Sequence, residues 1–168
     1  MAQQKVKEAL AGFEPITLEE MDSVKLMDRT DTKFVFGIQQ LPAMLEAVKP
    51  YYRSLEVSGT RISKYETLYY DTDDFALYQR HQAGKMNRYK VRSRKYVESN
   101  LHFFEIKFKN NKGRTIKNRF KTKEVEKELS ERAKKMLADN TSILPESLKP
   151  KIWVNYSRMT FVNKFSYE

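Results

Sequence analysis

Hydrophobic and polar positions along the chain repeat with two different periods, which predict a mixture of helices and strands. Helical spacing of apolar residues is found at residues 5–10, 17–27, 41–48, 75–80 and 122–137. Alternating or β-branched and aromatic runs, which predict strands, are found at residues 33–36, 63–70, 87–96, 102–109, 115–120 and 152–165. Thr17 and Glu20 stand at capping-box spacing where the second helix begins. We therefore expect an α+β fold.

The strands at 87–96 and 102–109 show the clearest pattern, with residues 98–100 as a hairpin turn between them. Successive side chains of a strand point to opposite faces of its sheet. In the second strand, Phe104, Ile106 and Phe108 therefore share one face and can build a core. The opposite parity places cations together on the other face: Arg88, Lys90, Arg92 and Arg94 from the first strand, and Lys107 and Lys109 beside Glu105 from the second.

The positive charge of the chain is concentrated in the same region. The formal net charge is +10, and residues 85–121 contain 13 Lys or Arg against Glu98 and Glu105 alone. The remaining residues hold 19 basic and 20 acidic side chains, so they sum to −1. A solvated outer face would explain single cations, but such a face normally mixes both signs. We therefore expect a polyanionic partner, whose charge would offset the repulsion within the patch.

Composition excludes several other classes of protein. At 168 residues, 40% of them hydrophobic, the chain fits one ordinary globular domain. The absence of cysteine excludes disulfides, thiolate zinc sites and a cysteine nucleophile, and it suits a reducing compartment. No stretch approaches the roughly 20 apolar residues of a membrane helix, and the first residues carry no targeting signal. We expect a cytoplasmic protein without a membrane segment.

Three further features carry weaker signals. Lys112, Gly113 and Arg114 form a basic turn that could offer backbone N–H groups to an anion, although an ordinary hairpin turn explains it equally well. The acidic run at residues 71–74 could suggest a divalent metal, but acidic residues before a helix are first explained as caps. The two histidines, His81 and His102, show no ligand spacing, and we assign neither a role.

Six short motifs follow one another in a fixed order along the chain. They are Thr32-Lys33-Phe34, the run from Tyr65 to Thr72, the run from Asn87 to Tyr96, Phe104-Glu105-Ile106-Lys107, the run from Gly113 to Phe120, and the run from Tyr156 to Phe161. Together they resemble the vacuolar transporter chaperone (VTC) domain, a branch of the triphosphate tunnel metalloenzymes of CYTH-like fold. The resemblance divides the chain into an N-terminal helical segment, 1–28, and a partial VTC domain, 29–168.

The resemblance implies an antiparallel β-barrel with flanking helices, whose basic lumen binds triphosphate or polyphosphate together with Mn²⁺ or Mg²⁺. Carried over by motif, the catalytic cations are Arg92, Arg94, Lys107, Lys117 and Arg158. Further substrate-binding cations are Lys33, Lys90, Arg88, Lys109 and Arg119. Glu105 is a candidate metal ligand, although the main metal ligand of the family lies beyond the chain. Because the family domain continues past Glu168, we expect an incomplete, inactive barrel whose unpaired strands can pair with a second copy.

The implied function of the intact domain is nucleotide-dependent polyphosphate synthesis, a metal-dependent phosphoryl transfer. A triphosphatase is an alternative, because water can replace the polyphosphate end in the same cradle. A non-catalytic module that binds polyphosphate or inositol phosphate is another. The expected partners are thus a nucleoside triphosphate, polyphosphate or another small polyanion. Nucleic acid ranks low, because Tyr89, Phe104 and Phe108 lie opposite the cations, whereas strand surfaces that bind RNA carry both on one face.

Overall fold

The structure is a computed structural model, and it describes residues 2–22 and 32–165. The helices are α1 (Ala2–Ala11), α2 (Leu18–Asp22), α3 (Leu41–Val48), α4 (Ala76–Gln82) and α5 (Glu131–Asn140). The strands are β1 (Glu14–Ile16), β2 (Tyr52–Leu55), β3 (Ser63–Asp71), β4 (Arg88–Tyr96), β5 (Leu101–Lys109), β6 (Thr115–Thr122), β7 (Lys149–Arg158) and β8 (Phe161–Asn163). The predicted α+β class is confirmed. None of the helices in the described ranges combines the length and the apolar character that a membrane crossing requires.

The chain divides into two compact units, of which the first comprises residues 1–63 and 158–168. Its three-stranded sheet has the order β1-β2-β8, in which β1 runs parallel and β8 antiparallel to β2. Helices α1 and α3 contribute the core residues Val6, Leu10 and Leu45, which pack with Phe13. The predicted capping box is confirmed, since the Thr17 amide donates to Glu20 Oε2 at 2.8 Å and the Glu20 amide donates to Thr17 Oγ1 at 3.2 Å.

The second unit, residues 64–157, contains a five-stranded antiparallel sheet in the order β6-β5-β4-β3-β7. Its core lies on one face of this sheet. Val91, Phe104 and Ile106 project from the strands, and Ala133 and Leu137 pack against them from α5. The strands β6 and β7 form the two edges. The described strands therefore make an open sheet and not a closed barrel, in agreement with the expected incomplete barrel.

Three predicted elements differ from the structure. Residues 33–36 form no strand, because Phe34 and Val35 are 82% and 102% exposed and the described residues offer them no partner strand. The helix predicted from residue 122 begins only at Glu131. Ser130 is its N-cap, since the Ser130 side chain accepts a hydrogen bond from the Ala133 amide. Residues 152–165 form two strands instead of one, because β7 ends at Arg158 and β8 begins at Phe161.

Two short strands of the first unit, β1 and β2, were not predicted at all. Each has only three or four residues, and both depend on pairing between distant parts of the chain. Two predictions lie outside the described residues: the continuation of the second helix over 23–27, and the domain boundary after residue 28.

Candidate anion-binding face

The register of the second unit places most of the predicted cations on one face of its sheet. Arg92 lies opposite Glu105, and Lys107 lies opposite both Lys90 on β4 and Lys117 on β6. Residues directly opposite in an antiparallel pair share a face, because the pleats of the two strands are in step. The resulting cationic face comprises Arg88, Lys90, Arg92, Arg94, Lys107, Lys109, Lys117 and Arg119 around Glu105. The predicted common parity of Arg92 and Lys107 is therefore found.

Glu105 is the carboxylate at the centre of the cationic face. Its side chain is fully buried, and Arg92 binds Oε2 through Nε at 2.7 Å and Nη2 at 2.6 Å. Lys117 Nζ lies 2.7 Å from the other oxygen, Oε1. Burial opposes ionisation, but Lys117 and Arg92 together hold the pKa of Glu105 below its ordinary value. One buried carboxylate thus neutralises two cations from neighbouring strands.

Arg92 is committed to contacts within the protein. Its third nitrogen, Nη1, lies 3.1 Å from the hydroxyl of Tyr69 on β3, and the residue is only 6% exposed. Although burial opposes the charge, Glu105 and the Tyr69 hydroxyl raise the pKa of Arg92. Its guanidinium therefore orients Glu105 instead of standing open to a ligand.

Arg94 is nearly as buried as Arg92, at 7% exposed, but its contacts within the described part of the chain leave part of the guanidinium without a hydrogen-bond partner. Nε donates to Thr67 Oγ1 at 3.0 Å, and the guanidinium carbon lies 5.3 Å and 5.6 Å from the ring centroids of Tyr65 and Tyr156. These two rings stack on each other at 4.9 Å. Among the described residues, no group accepts a hydrogen bond from the terminal Nη atoms of Arg94. Those atoms can therefore donate to an anion while the rings fix the guanidinium plane.

Lys107 differs from its neighbours because, within the described residues, no side-chain hydrogen bond or ion pair holds its ammonium group. Partial burial and the nearby charges of Arg92 and Lys117 together lower the pKa of Lys107 to about 8, although Glu105 acts in the opposite direction. This ammonium group is surrounded mainly by charges of its own sign. A bound anion would remove that repulsion.

The other predicted cations have separate surroundings. Lys90 Nζ lies 3.1 Å from His81 Nε2, which gives this histidine a contact that the sequence did not indicate. Arg88 donates through Nη1 to the Lys85 carbonyl at 2.7 Å. The Arg119 guanidinium lies 4.7 Å from the centroid of the Phe103 ring, and Lys109 is half-buried opposite Arg88.

Two of the predicted cations belong to the first unit. Lys33 is exposed in a stretch without helix or strand, and Arg158 is exposed at the end of β7. Their part in anion binding stays a prediction.

Aromatic side chains also occupy the cationic face, which the sequence reasoning missed. Tyr65, Thr67 and Tyr69 of β3 all lie on this face, and Tyr156 of β7 stacks on Tyr65. The sequence contained this signal, because strand parity places the rings of β3 on this face, and Tyr96 and Phe103 share parity with the cations of β4 and β5. Tyr89, Phe104 and Phe108 do lie opposite the cations, but the rings on the cationic face remove the reason for ranking nucleic acid low.

The acidic run after β3 caps a helix, as expected. Asp71 accepts hydrogen bonds from the Leu77 and Tyr78 amides, each at 2.9 Å, and Thr72 Oγ1 accepts from the Ala76 amide at 2.9 Å. Asp73 bonds both Lys149 and Lys151, which hold its pKa at about 2. The contacts of this acidic run therefore cap helix α4 and hold β7, which are structural roles.

The basic turn is an ordinary hairpin turn. The side-chain oxygen of Asn110 accepts from the Lys112 and Arg114 amides, each at 3.0 Å, and the Gly113 amide donates to the Asn110 carbonyl at 3.2 Å. Gly113 has a φ of 77°, which favours glycine over residues with a side chain. The backbone donors of this turn are therefore already occupied.

The contacts of Glu105 do not fit a site for Mn²⁺ or Mg²⁺. Such ions are held by oxygen ligands, usually one or two carboxylates with water and phosphate. Across residues 2–22 and 32–165, no three His, Asp or Glu side chains converge, and both oxygens of Glu105 are bound by cations. Glu105 as a metal ligand stays a prediction that its observed contacts do not favour.

An antiparallel sheet with a basic face is also what the family of this chain leads one to expect. The model of the VTC domain family matches residues 28–166. The chain therefore belongs to the VTC domain family. None of the curated proteins searched matches it.

One solved structure that matches is the X-ray structure of a protein from Vibrio parahaemolyticus, provisionally described as an adenylate cyclase. It has 14% sequence identity and a TM-score of 0.42, and the match covers 71% of this chain. The chain spans 55% of the length of that protein.

Proposed function

We propose that the cationic face binds a triphosphate or polyphosphate chain and that, in the intact domain, it supports nucleotide-dependent polyphosphate synthesis. The observation that carries this proposal is the ammonium group of Lys107, which is half-buried among Arg92 and Lys117 without an anion of its own. A flexible polyanion satisfies several such groups at once, because its oxygens can reach cations on neighbouring strands.

The residues divide into direct ligands and positioning residues. Lys107, the free Nη atoms of Arg94 and the one-third exposed Lys117 can reach a phosphate oxygen. Arg92 acts through Glu105, which keeps Lys117 in place on the neighbouring strand. Lys90, Lys109 and Arg119 extend the cationic face along the sheet. Lys33 and Arg88 are proposed as further substrate contacts, and Arg158 is proposed as a further catalytic cation.

For phosphoryl transfer, the contribution of these residues is electrostatic. The transition state spreads negative charge over the equatorial and bridging oxygens of the transferred group, so fixed cations stabilise it without a protein nucleophile. The attacking group would be the terminal oxygen of a polyphosphate chain, and the leaving group would be the nucleoside diphosphate. The cations of β4, β5 and β6 would hold both in line.

Calorimetric titration with tripolyphosphate tests the binding step. We expect saturable binding that weakens steeply with added salt, and a large loss in Lys107→Ala. A single-stranded RNA of equal charge is the control, because rings on the cationic face make RNA a competitor. Absence of tripolyphosphate binding, or tighter binding of the RNA, would contradict the proposal. Incubation with ATP and Mn²⁺ or Mg²⁺ then separates polymer formation from release of inorganic phosphate.

A non-catalytic role is the second candidate, and the surroundings of Glu105 favour it. Its two oxygens are occupied by Arg92 and Lys117, so the described residues supply cations without a metal site. A module that binds polyphosphate or inositol phosphate needs only the cations. In the experiment above, this candidate predicts tight binding of both ligands and no turnover of ATP with either metal.

A further inference from the structure

A cavity lies at the end of the second unit's sheet where β3 stops and β4 starts. Its volume is about 320 Å³, which falls within the range of roughly 300–1,000 Å³ typical of small-molecule sites. Helix α4 closes one side and β7 another. The walls are mainly aromatic and aliphatic, with a few polar groups among them. The cavity lining includes Tyr69, Leu77, Tyr78, His81, Lys90 and Val154.

The cavity is continuous with the cationic face through two of its residues. Tyr69 lines the cavity, while its hydroxyl lies 3.1 Å from Nη1 of Arg92. Lys90 lines the cavity as well, and it lies directly opposite Lys107 across β4 and β5. A ligand that fills the cavity can therefore extend charged groups onto the cationic face.

The walls of the cavity suit a flat aromatic ring with polar edges. Tyr78 is half-exposed, and its hydroxyl accepts a hydrogen bond from Gln82 Nε2 at 2.9 Å, which steadies the ring. Val154 and Leu77 provide aliphatic surface, and the His81 and Lys90 pair supplies polar groups. Nucleobases bind to proteins by stacking on such rings, with hydrogen bonds from their edges to nearby polar groups.

We propose that this cavity holds the base of a nucleoside triphosphate whose phosphates lie on the cationic face. The inference rests on the proposed function, because it places the remainder of the same ligand. The base is a recognition element that polyphosphate lacks. A nucleotide would then bind more tightly than a bare triphosphate of the same length, since the base removes apolar surface from water as it stacks.

The test compares ATP with tripolyphosphate, titrated calorimetrically into the wild-type chain and into Tyr78→Ala. We expect Tyr78→Ala to weaken ATP binding about tenfold, the effect of losing one base stack, and to change tripolyphosphate binding by less than about twofold. Val154→Trp, which fills the cavity without removing a cation, should act in the same way. Tyr51→Ala is the matched control, because Tyr51 is a similarly exposed tyrosine of the first unit. It should change neither affinity.

The two proposals fail in different ways. If both cavity variants weaken the two ligands equally, or leave ATP unchanged, the base site is wrong while the phosphate site stands. If the wild-type chain binds ATP in a Tyr78-dependent manner but not tripolyphosphate, the cavity stands and the phosphate site is wrong. If the wild-type chain binds neither ligand, both are wrong.

Discussion

Arg92 and Glu105 lie directly opposite each other on β4 and β5, with Nη2 of the guanidinium 2.6 Å from Oε2 of a carboxylate that has no exposed surface. The same carboxylate binds Lys117 on the next strand. Three neighbouring strands are therefore joined through one acidic side chain. Lys107 lies two residues further along β5 and outside this network. The cationic face thus combines neutralised cations, which stabilise the sheet, with cations that an anion can still satisfy.

Glu105→Gln should destabilise the protein strongly. The substitution leaves Arg92 buried without its counter-ion, and breaking a buried pair from one side costs about 3–5 kcal/mol. We expect a fall of that size in the free energy of unfolding, measured by urea denaturation at neutral pH. Lys117→Met should cost less, because the Lys117 side chain is 34% exposed and Glu105 keeps Arg92.

Glu128→Gln provides the matched control for this prediction. Glu128 is exposed, and we expect its substitution to change stability by less than about 0.5 kcal/mol. An equal and small effect of both substitutions would show that the ion network contributes little. Binding assays on folded Glu105→Gln also address the metal: a counter-ion role predicts that Mn²⁺ binding is unchanged, whereas a ligand role predicts its loss.

Anion binding should depend on which face of the sheet carries the cation. Lys107→Ala should weaken tripolyphosphate binding about tenfold or more, because it removes an ammonium group from the centre of the cationic face. Lys95→Ala should have little effect, since Lys95 pairs with Glu66 and His102 on the opposite face. Titrations of both variants at two salt concentrations check this. Equal losses would mean that only the overall charge of the chain matters.

Strand parity could be predicted from the sequence because it depends on a local rule. The alternation of Phe104, Ile106 and Phe108 with charged residues fixes the register of β5, and the structure has the same faces. What lies opposite each residue depends on pairing between strands, which parity alone does not determine. Pairing of Glu105 with both Arg92 and Lys117 is a result of that kind.

Helix α5 illustrates a second limit. Val125 and Leu129 continue its apolar spacing backwards, and both pack against the core of the second unit, so the pattern alone extends the helix too far. The boundary is set by Ser130, whose hydroxyl accepts from the Ala133 amide at 3.2 Å. Apolar residues at helical spacing are found both in a helix and in a non-helical segment that contacts the core, so this spacing does not distinguish the two. The capping residue separates them only when it is recognised as a cap.

Ser130→Ala should accordingly weaken α5. Loss of an N-cap hydrogen bond typically costs about 1 kcal/mol, and we expect that change in the free energy of unfolding. Ser130→Asp should retain most of the stability, because aspartate also caps helices and favours the positive end of the helix dipole. Thermal unfolding of the two variants measures the difference. Equal losses would indicate that the hydroxyl contributes through Glu126, to which it also donates, at 2.8 Å.

The lowered pKa of Lys107 predicts two pH effects of opposite direction. In the folded protein this pKa is about 8, against an ordinary value of 10.5, so the unfolded chain binds more protons at a pH between these values. Stability should therefore rise as the pH increases from about 8 to 10.5. A bound anion, in contrast, favours the protonated ammonium group. Affinity for ATP, whose phosphates are fully ionised in this range, should therefore fall as the pH rises through about 8.

Lys107→Met isolates the contribution of this group, because methionine keeps a side chain of similar length without a charge. In calorimetric titrations with ATP between about pH 8 and 9.5, the wild-type affinity should fall with increasing pH, while that of Lys107→Met should be weaker and nearly constant. Lys95→Met, on the opposite face, should retain the wild-type dependence. Proton uptake, obtained from titrations in buffers of different ionisation enthalpy, supplies an independent measurement, because binding to the wild-type chain near pH 8 should take up protons. If Lys107→Met shows the same pH dependence as the wild-type chain, another group titrates and Lys107 is not in contact with the phosphates.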